Sequence, residues 1–190
     1  MLGAIIGDIV GSRFEWDNIK SKEFELFTNE CEPTDDSIMT LAVAKAILSC
    51  GGDYSNLAGR TITCMQELGR RHPHAGYGGR FAQWLRRSNP KPYNSYGNGS
   101  AMRVSPCAYA ADTLEEAETL ARAVTEVTHN HPEGIKGALA TTAAIFMALH
   151  GSSIAEIRDY INQNYYSLNF TLDKICPKYE FDVSCPAPVS

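Results

Sequence analysis

The chain has 190 residues, 44% of them apolar and 21% charged, with a formal net charge of −5. That composition belongs to a soluble globular protein with enough apolar mass for a core. It excludes a generic phosphate-backbone binder, which needs a basic excess, and no apolar run approaches the roughly 18–20 residues of a membrane span.

The first predicted element is a short helix over 2–11. Gly3, Gly7 and Gly11 recur every four residues, so they share one face and would allow another helix to pack closely. The segment lacks a basic start, and Asp8, Arg13 and Glu15 interrupt it, so it is not read as a secretion signal. Asp8 in these apolar surroundings is costly to bury unless paired or bound to a cation. Glu15 falls two helical turns later, near the same face if the helix continues, and is a candidate general base or ligand of a metal-bound water.

A helix follows over Asp35 to Ser49, with Ile38, Leu41, Ala42, Lys45 and Leu48 forming a largely apolar stripe. Thr34 stands at its N-cap, and Asp35 and Asp36 in its first turn suit the helix dipole. One hydroxyl and two adjacent carboxylates on a rigid element are also hard oxygen ligands, fit for Mg²⁺, Mn²⁺ or Ca²⁺ and not for Zn²⁺. Plain capping explains the same three residues, and both readings stay open at this point.

Weaker helices are expected at 54–70, 79–87 and 101–111. Between them lie two glycine-bearing loops, Ala75-Gly-Tyr-Gly-Gly79 and Ser95-Tyr-Gly-Asn-Gly-Ser100. Glycine lets backbone N–H groups approach a phosphate, and Tyr77 or Tyr96 could contact a ribose or stack on a base. Neither loop fits a Walker or Rossmann pattern, and each alone reads more readily as a turn.

Thr113-Leu-Glu-Glu116 opens a helix to about Thr128, and Ser153-Ile-Ala-Glu156 opens another to about Tyr165, both as capping boxes. Pro132 starts a helix to Leu149, with Ile135, Leu139, Thr142, Phe146 and Leu149 on one face. Directly before it, Thr128-His-Asn-His-Pro132 offers two imidazoles, read as hydrogen-bonding groups because no soft third metal ligand accompanies them. Strand-like alternation is confined to Tyr179-Glu-Phe-Asp-Val183. The class is therefore all-α, as a single domain over 1–190. The six cysteines form no Cys-x-x-Cys pair and read as reduced thiols of a cytoplasmic protein.

Five stretches together carry a resemblance: GAIIGDIVGSRFE at 3–15, TDDS at 34–37, GYGG at 76–79, SYGNGSAMRVSP at 95–106 and THNHPEGIKGA at 128–138. In order and spacing the chain resembles the ADP-ribosylglycohydrolase family. The resemblance implies an orthogonal all-α bundle with a centre of two Mg²⁺ or Mn²⁺ ions. It implies hydrolysis of the bond between C1″ of ADP-ribose and an acceptor. Thr34, Asp35 and Asp36 would then be metal ligands, with Asp35 and Glu15 as the catalytic carboxylates. Ser95, Tyr96, Gly97 and Asn98 would hold the diphosphate and distal ribose, Gly76 and Gly78 would lie against ADP-ribose, and His129 would reach a phosphate or ribose oxygen.

One feature departs from the family. Its second metal motif, an Asp-x-Asp-Thr set in the last quarter of a longer chain, has no counterpart, since the sequence contains no Asp-x-Asp. The expectation is a C-terminally truncated family member with part of the ligand set. It would self-associate through an uncovered apolar face or pair with a missing C-terminal fragment, and neither nucleic acid nor membrane is an expected partner. The alternative is a catalytically impaired ADP-ribose-binding or structural member of the family.

Overall fold

The computed structural model describes residues 1–179 and 183–185. Among them the α-helices are α1 (Leu2–Gly11), α2 (Asp35–Cys50), α3 (Leu57–Arg71), α4 (Gly79–Arg86), α5 (Ser105–Ala110), α6 (Leu114–Thr125), α7 (Pro132–Leu149), α8 (Ile154–Asn164) and α9 (Leu172–Ile175). Short 3₁₀ turns at Ser12–Phe14, Tyr54–Asn56, Asn98–Arg103 and Cys176–Lys178 join or extend them. Helix accounts for 63% of the described residues, and no strand or sheet forms among them, so the class is all-α. The alternating segment expected at 179–183 lies mostly outside the described residues. A single antiparallel bridge, Gly97 to Ser184, is the extended pairing that is seen.

The helix starts follow the sequence closely. Thr34 is in extended backbone and its hydroxyl accepts from Asp36 N–H. Thr113 accepts from Glu116 N–H, while the Glu116 carboxylate takes Asp112 N–H and so closes the box one residue early. Ser153 and Glu156 form the full reciprocal box. Such caps each contribute about 0.5–2 kcal/mol by satisfying orphan N–H groups.

The stripe expected on α2 is corrected. Ile38 and Ala42 are buried, but Leu41 and Leu48 are exposed along with Lys45. Met39, Val43, Ala46 and Ile47 are buried as well, so the burial extends round most of the helix. The reason is placement: α2 packs against α1, α3, α5 and the Asn98–Arg103 turn, so only a narrow line meets solvent. On α7, Leu139, Thr142 and Phe146 are buried and Ile135 is partly so, while Leu149 emerges at the end. The main core joins α2 to α7 through Met65, Trp84, Leu120 and Val124, and a smaller cluster under α8 holds Ala140, Ala143 and Ile161.

The glycine face of α1 is corrected too. A Cβ placed at Gly3, Gly7 or Gly11 would meet nothing within 4 Å among the described residues, so this face packs against none of them. The α-helix also ends at Gly11, where a 3₁₀ turn takes the chain to Phe14. All six cysteines are free thiols, with Cys64 and Cys107 buried as small apolar groups and Cys50 half-buried. Among the described residues no helix is long and apolar enough to cross a membrane.

Candidate active site

Asp8 ties α1 to the start of α2. One of its oxygens accepts from Thr34 N–H at 2.9 Å and Ser37 N–H at 3.1 Å, and the other from the Thr34 hydroxyl at 2.5 Å. The carboxylate that looked costly in an apolar segment is thus satisfied by a helix N-terminus. Beyond it, Arg13 pins the following loop. Its guanidinium lies 4.5 Å over the Phe14 ring and donates to Thr28 Oγ1 at 2.8 Å and to the Glu25 carbonyl. These ties set Glu15 beside the first turn of α2.

Glu15, Asp35 and Asp36 line one cavity of about 390 Å³. So do Gly76, Gly78, Ser95, Gly97, Asn98 and His129. Two predicted residues do not line it. The Thr34 hydroxyl is held between Asp8 and Asp36 N–H. Tyr96 turns its ring outward to His131, with centroids 5.3 Å apart, and its carbonyl accepts from Cys185 N–H at 2.8 Å.

The acidic end carries uncompensated charge. Burial, then repulsion from Asp36 and Glu15, pushes Asp35 up to about 7. Burial, then repulsion from Asp8 and Glu15, pushes Asp36 up to about 6. Burial and Asp8 raise Glu15 as well. No lysine, arginine or histidine forms an ion pair with these three among the described residues. Gly76 sits against this cluster, where its Cβ would lie 3.6 Å from Asp35 Oδ1 and its φ of +92° favours glycine.

The same cavity also carries cations that were largely missed from the sequence. Arg80, at the start of α4, lies 4.7 Å over the Tyr93 ring and donates to the Tyr93 carbonyl. Arg103 is 1% exposed, and burial lowers it to about 10. Its Nη2 donates to the Val124 carbonyl at 3.1 Å and to Thr128 Oγ1 at 2.7 Å. Both arginines line the cavity, with Tyr93, Met102 and Trp16. Their only sequence signal was adjacency, Arg80 following Gly-Tyr-Gly-Gly79 and Arg103 closing the stretch after Ser100.

His129 is linked to Arg103 through Thr128 and lies beside the Ser95–Ser100 loop. Burial, then Arg103 and Arg80, pushes its imidazole down to about 3, so it is neutral at physiological pH. A Cβ at Gly99 would come within 3.5 Å of its ring, so glycine there keeps the loop close. His131 serves a different end, accepting Glu133 N–H at 3.1 Å to cap α7. Part of the expected N–H cradle is already engaged: Gly97 N–H donates to Ser95 Oγ at 3.3 Å, and Asn98 N–H to the Val183 carbonyl at 2.7 Å.

Among the described residues no three carboxylate, imidazole or thiolate groups converge tightly enough to cage an ion alone. The donor chemistry nonetheless fits a hydrated hard cation. Two adjacent half-buried aspartates without a counter-charge are what Mg²⁺ takes while keeping several waters.

A helical domain with a cavity that brings carboxylates, arginines and glycine-rich loops together is suited to a ligand with both hydroxyl and anionic groups. The family model for ADP-ribosylglycohydrolase matches residues 1–182, and the chain belongs to that family. ADP-ribosylhydrolase ARH3 of Mus musculus is 29% identical, with 82% of this chain and 50% of the relative aligned. The protein of that name from Xenopus tropicalis is 27% identical, with 82% and 51% aligned. The chain therefore spans about half the length of the curated relatives it matches. A solved chain described as an "ADP-ribosylglycohydrolase-related protein complex" shares the fold at a TM-score of 0.69 and 20% identity, covering 98% of this chain and 69% of that one.

Proposed function

We propose that the chain binds ADP-ribose in this cavity and hydrolyses the bond between its C1″ carbon and an acceptor. The observation that carries the reading is that Glu15, Asp35 and Asp36 share one cavity with Asn98 and His129, residues spread over more than half the sequence. The ARH3 relatives, named as ADP-ribosylhydrolases, support the same reaction.

On this reading Asp35 and Asp36 hold Mg²⁺ or Mn²⁺, which when bound orients the proximal ribose diol and offsets charge there. Glu15 positions the attacking water and accepts its proton. Burial and the neighbouring Asp8 raise its carboxyl, which makes it a stronger proton acceptor than an ordinary glutamate. Water oxygen bonds to C1″ as the bond to the acceptor breaks, and the acceptor leaves with the bonding pair and is protonated. Arg80 and His129 bind and orient the anionic half of the ligand. The acidic surface adds no long-range attraction, so local donors supply recognition.

The test is release of ADP-ribose from arginine- and serine-modified peptides in millimolar Mg²⁺ or Mn²⁺. Glu15→Gln should lower kcat by about 10²–10⁴-fold, the usual range for a lost general base. Turnover unchanged in both Glu15→Gln and Asp35→Ala would overturn the assignment.

A second reading has its own observation. No ready-made ion cage forms among the described residues, so binding can outlast catalysis. ADP-ribose binding by calorimetry, weakened in Asn98→Ala but with no release from either peptide, would favour that reading. The test proteins include this chain alone and the chain supplemented with the C-terminal half of a relative.

A further inference from the structure

Arg103, Thr128 and His129 form a chain of hydrogen bonds whose direction can be worked out from donor counting. Thr128 is fully buried. Arg103 Nη2 lies 2.7 Å from Thr128 Oγ1, and Thr128 Oγ1 lies 2.7 Å from His129 Nδ1. A guanidinium has donors and no acceptor, so Thr128 Oγ1 accepts in the first bond. Among the described residues the hydroxyl proton has no acceptor within reach other than Nδ1. The reverse arrangement, with Nδ1 donating, would leave that proton buried and unpaired.

We propose that Thr128, held by Arg103, is a positioning residue that fixes His129 as the tautomer protonated on Nε2, so that a neutral imidazole presents an N–H donor to the cavity. His129 lines that cavity, and its Nε2 lies beside Gly97 and Gly99, near where the side chain of any other residue would begin. Nε2 has no hydrogen-bond partner among the described residues. Burial and the positive charges of Arg103 and Arg80 discourage a second proton, and the Tyr93 ring lies beside the imidazole with centroids 6.2 Å apart. The donor therefore suits an oxygen that carries lone pairs and no proton, such as a diphosphate or ribose ring oxygen. This choice of atom rests on the ADP-ribose reading, whereas the tautomer does not.

The experiment uses the whole chain labelled with ¹⁵N in its histidines. Long-range proton–nitrogen spectra of the ligand-free protein identify His129 as the ring absent from His129→Gln. Wild type and Thr128→Ser should show Nε2 protonated and Nδ1 bare. Thr128→Val removes the donor to Nδ1 and should populate the Nδ1–H form, as should Arg103→Met. Thermal unfolding of each variant confirms that it folds, and if Arg103→Met does not, the Thr128 pair decides. ADP-ribose affinity by calorimetry should fall about tenfold in Thr128→Val and return in Thr128→Ser, a loss near 1.4 kcal/mol. An Nδ1–H imidazole in wild type, or an unchanged tautomer in Thr128→Val, would overturn the relay. Failure of wild type to bind ADP-ribose would instead overturn the functional reading, and the ligand-free spectrum would still judge the tautomer.

Discussion

Asp35 shows how a residue chosen for local structure becomes reactive through its neighbours. In the first turn of α2 its charge suits the helix dipole, yet burial beside Asp36 and Glu15 lifts its carboxyl to about 7. A carboxyl raised above its unfolded value of 3.8 contributes stability below that pH, and the contribution is lost as pH rises through about 7. In chelator at pH 8, Asp35→Asn should therefore be more stable than wild type by about 1–3 kcal/mol, calibrated at about 1.4 kcal/mol per pH unit. The gap should close toward pH 4, where the wild-type carboxyl is largely protonated. Millimolar Mg²⁺ should raise the wild-type melting temperature at pH 8 and leave the variant almost unmoved. A variant no more stable than wild type at pH 8 in denaturant titrations would remove the charge-strain account. The same carboxylates that strain the ligand-free domain are those assigned to bind the ion, the usual exchange of stability for function.

Among elements, the contact between α7 and the Ser95–Ser100 loop sets the site most closely. The Ser100 hydroxyl donates to the Gly134 carbonyl at 2.8 Å. A Cβ on Gly134 would stand 2.7 Å from the Ser95 carbonyl oxygen and 3.2 Å from His129 Cβ. Backbone cannot give way as a side-chain tip can. Helix propensity alone favours alanine over glycine by about 1 kcal/mol. Overpacking of about 1–3 kcal/mol opposes it, so Gly134→Ala should destabilise the fold by about 1 kcal/mol, measured as a shift in urea midpoint. It should also weaken ADP-ribose binding, because the loop must move away from His129. A gain in stability with unchanged binding would show that the loop yields freely.

Across the whole molecule, three segments far apart in sequence meet at one cavity: Gly76–Arg80, Ser95–Arg103 and the turn at His129. Bound ADP-ribose should slow amide hydrogen exchange in all three together, at sites that exchange through local opening. Protection confined to one segment, or appearing instead around Arg158 and Leu168 beneath α8, would displace the ligand from this cavity. Large apolar side chains also stand exposed well away from the cavity, Leu48 on α2 and Ile154 on α8 among them. Single exposed residues of this kind are common on protein surfaces and need no partner.

What the sequence by itself determined here was local and covalent in scale. Thr34, Thr113, Ser153 and Pro132 marked helix starts because capping depends on a few adjacent residues. Asp35, Asp36, Asn98 and His129 were readable because their motifs keep chemistry and backbone conformation within a few positions. Family membership was legible for the same reason. The tertiary structure decided what depends on surroundings. It buried α2 on most sides and left Leu41 and Leu48 in solvent, since a central helix has partners in several directions. It left the glycine face of α1 without a packing partner among the described residues, and it turned Asp8 into a cap. It brought Arg80 and Arg103, residues with no distinguishing local pattern, to the cavity that the carboxylates line. Burial and charge proximity arise only when distant segments pack, so the perturbed carboxyls and the neutral imidazole had no signature in the order of residues.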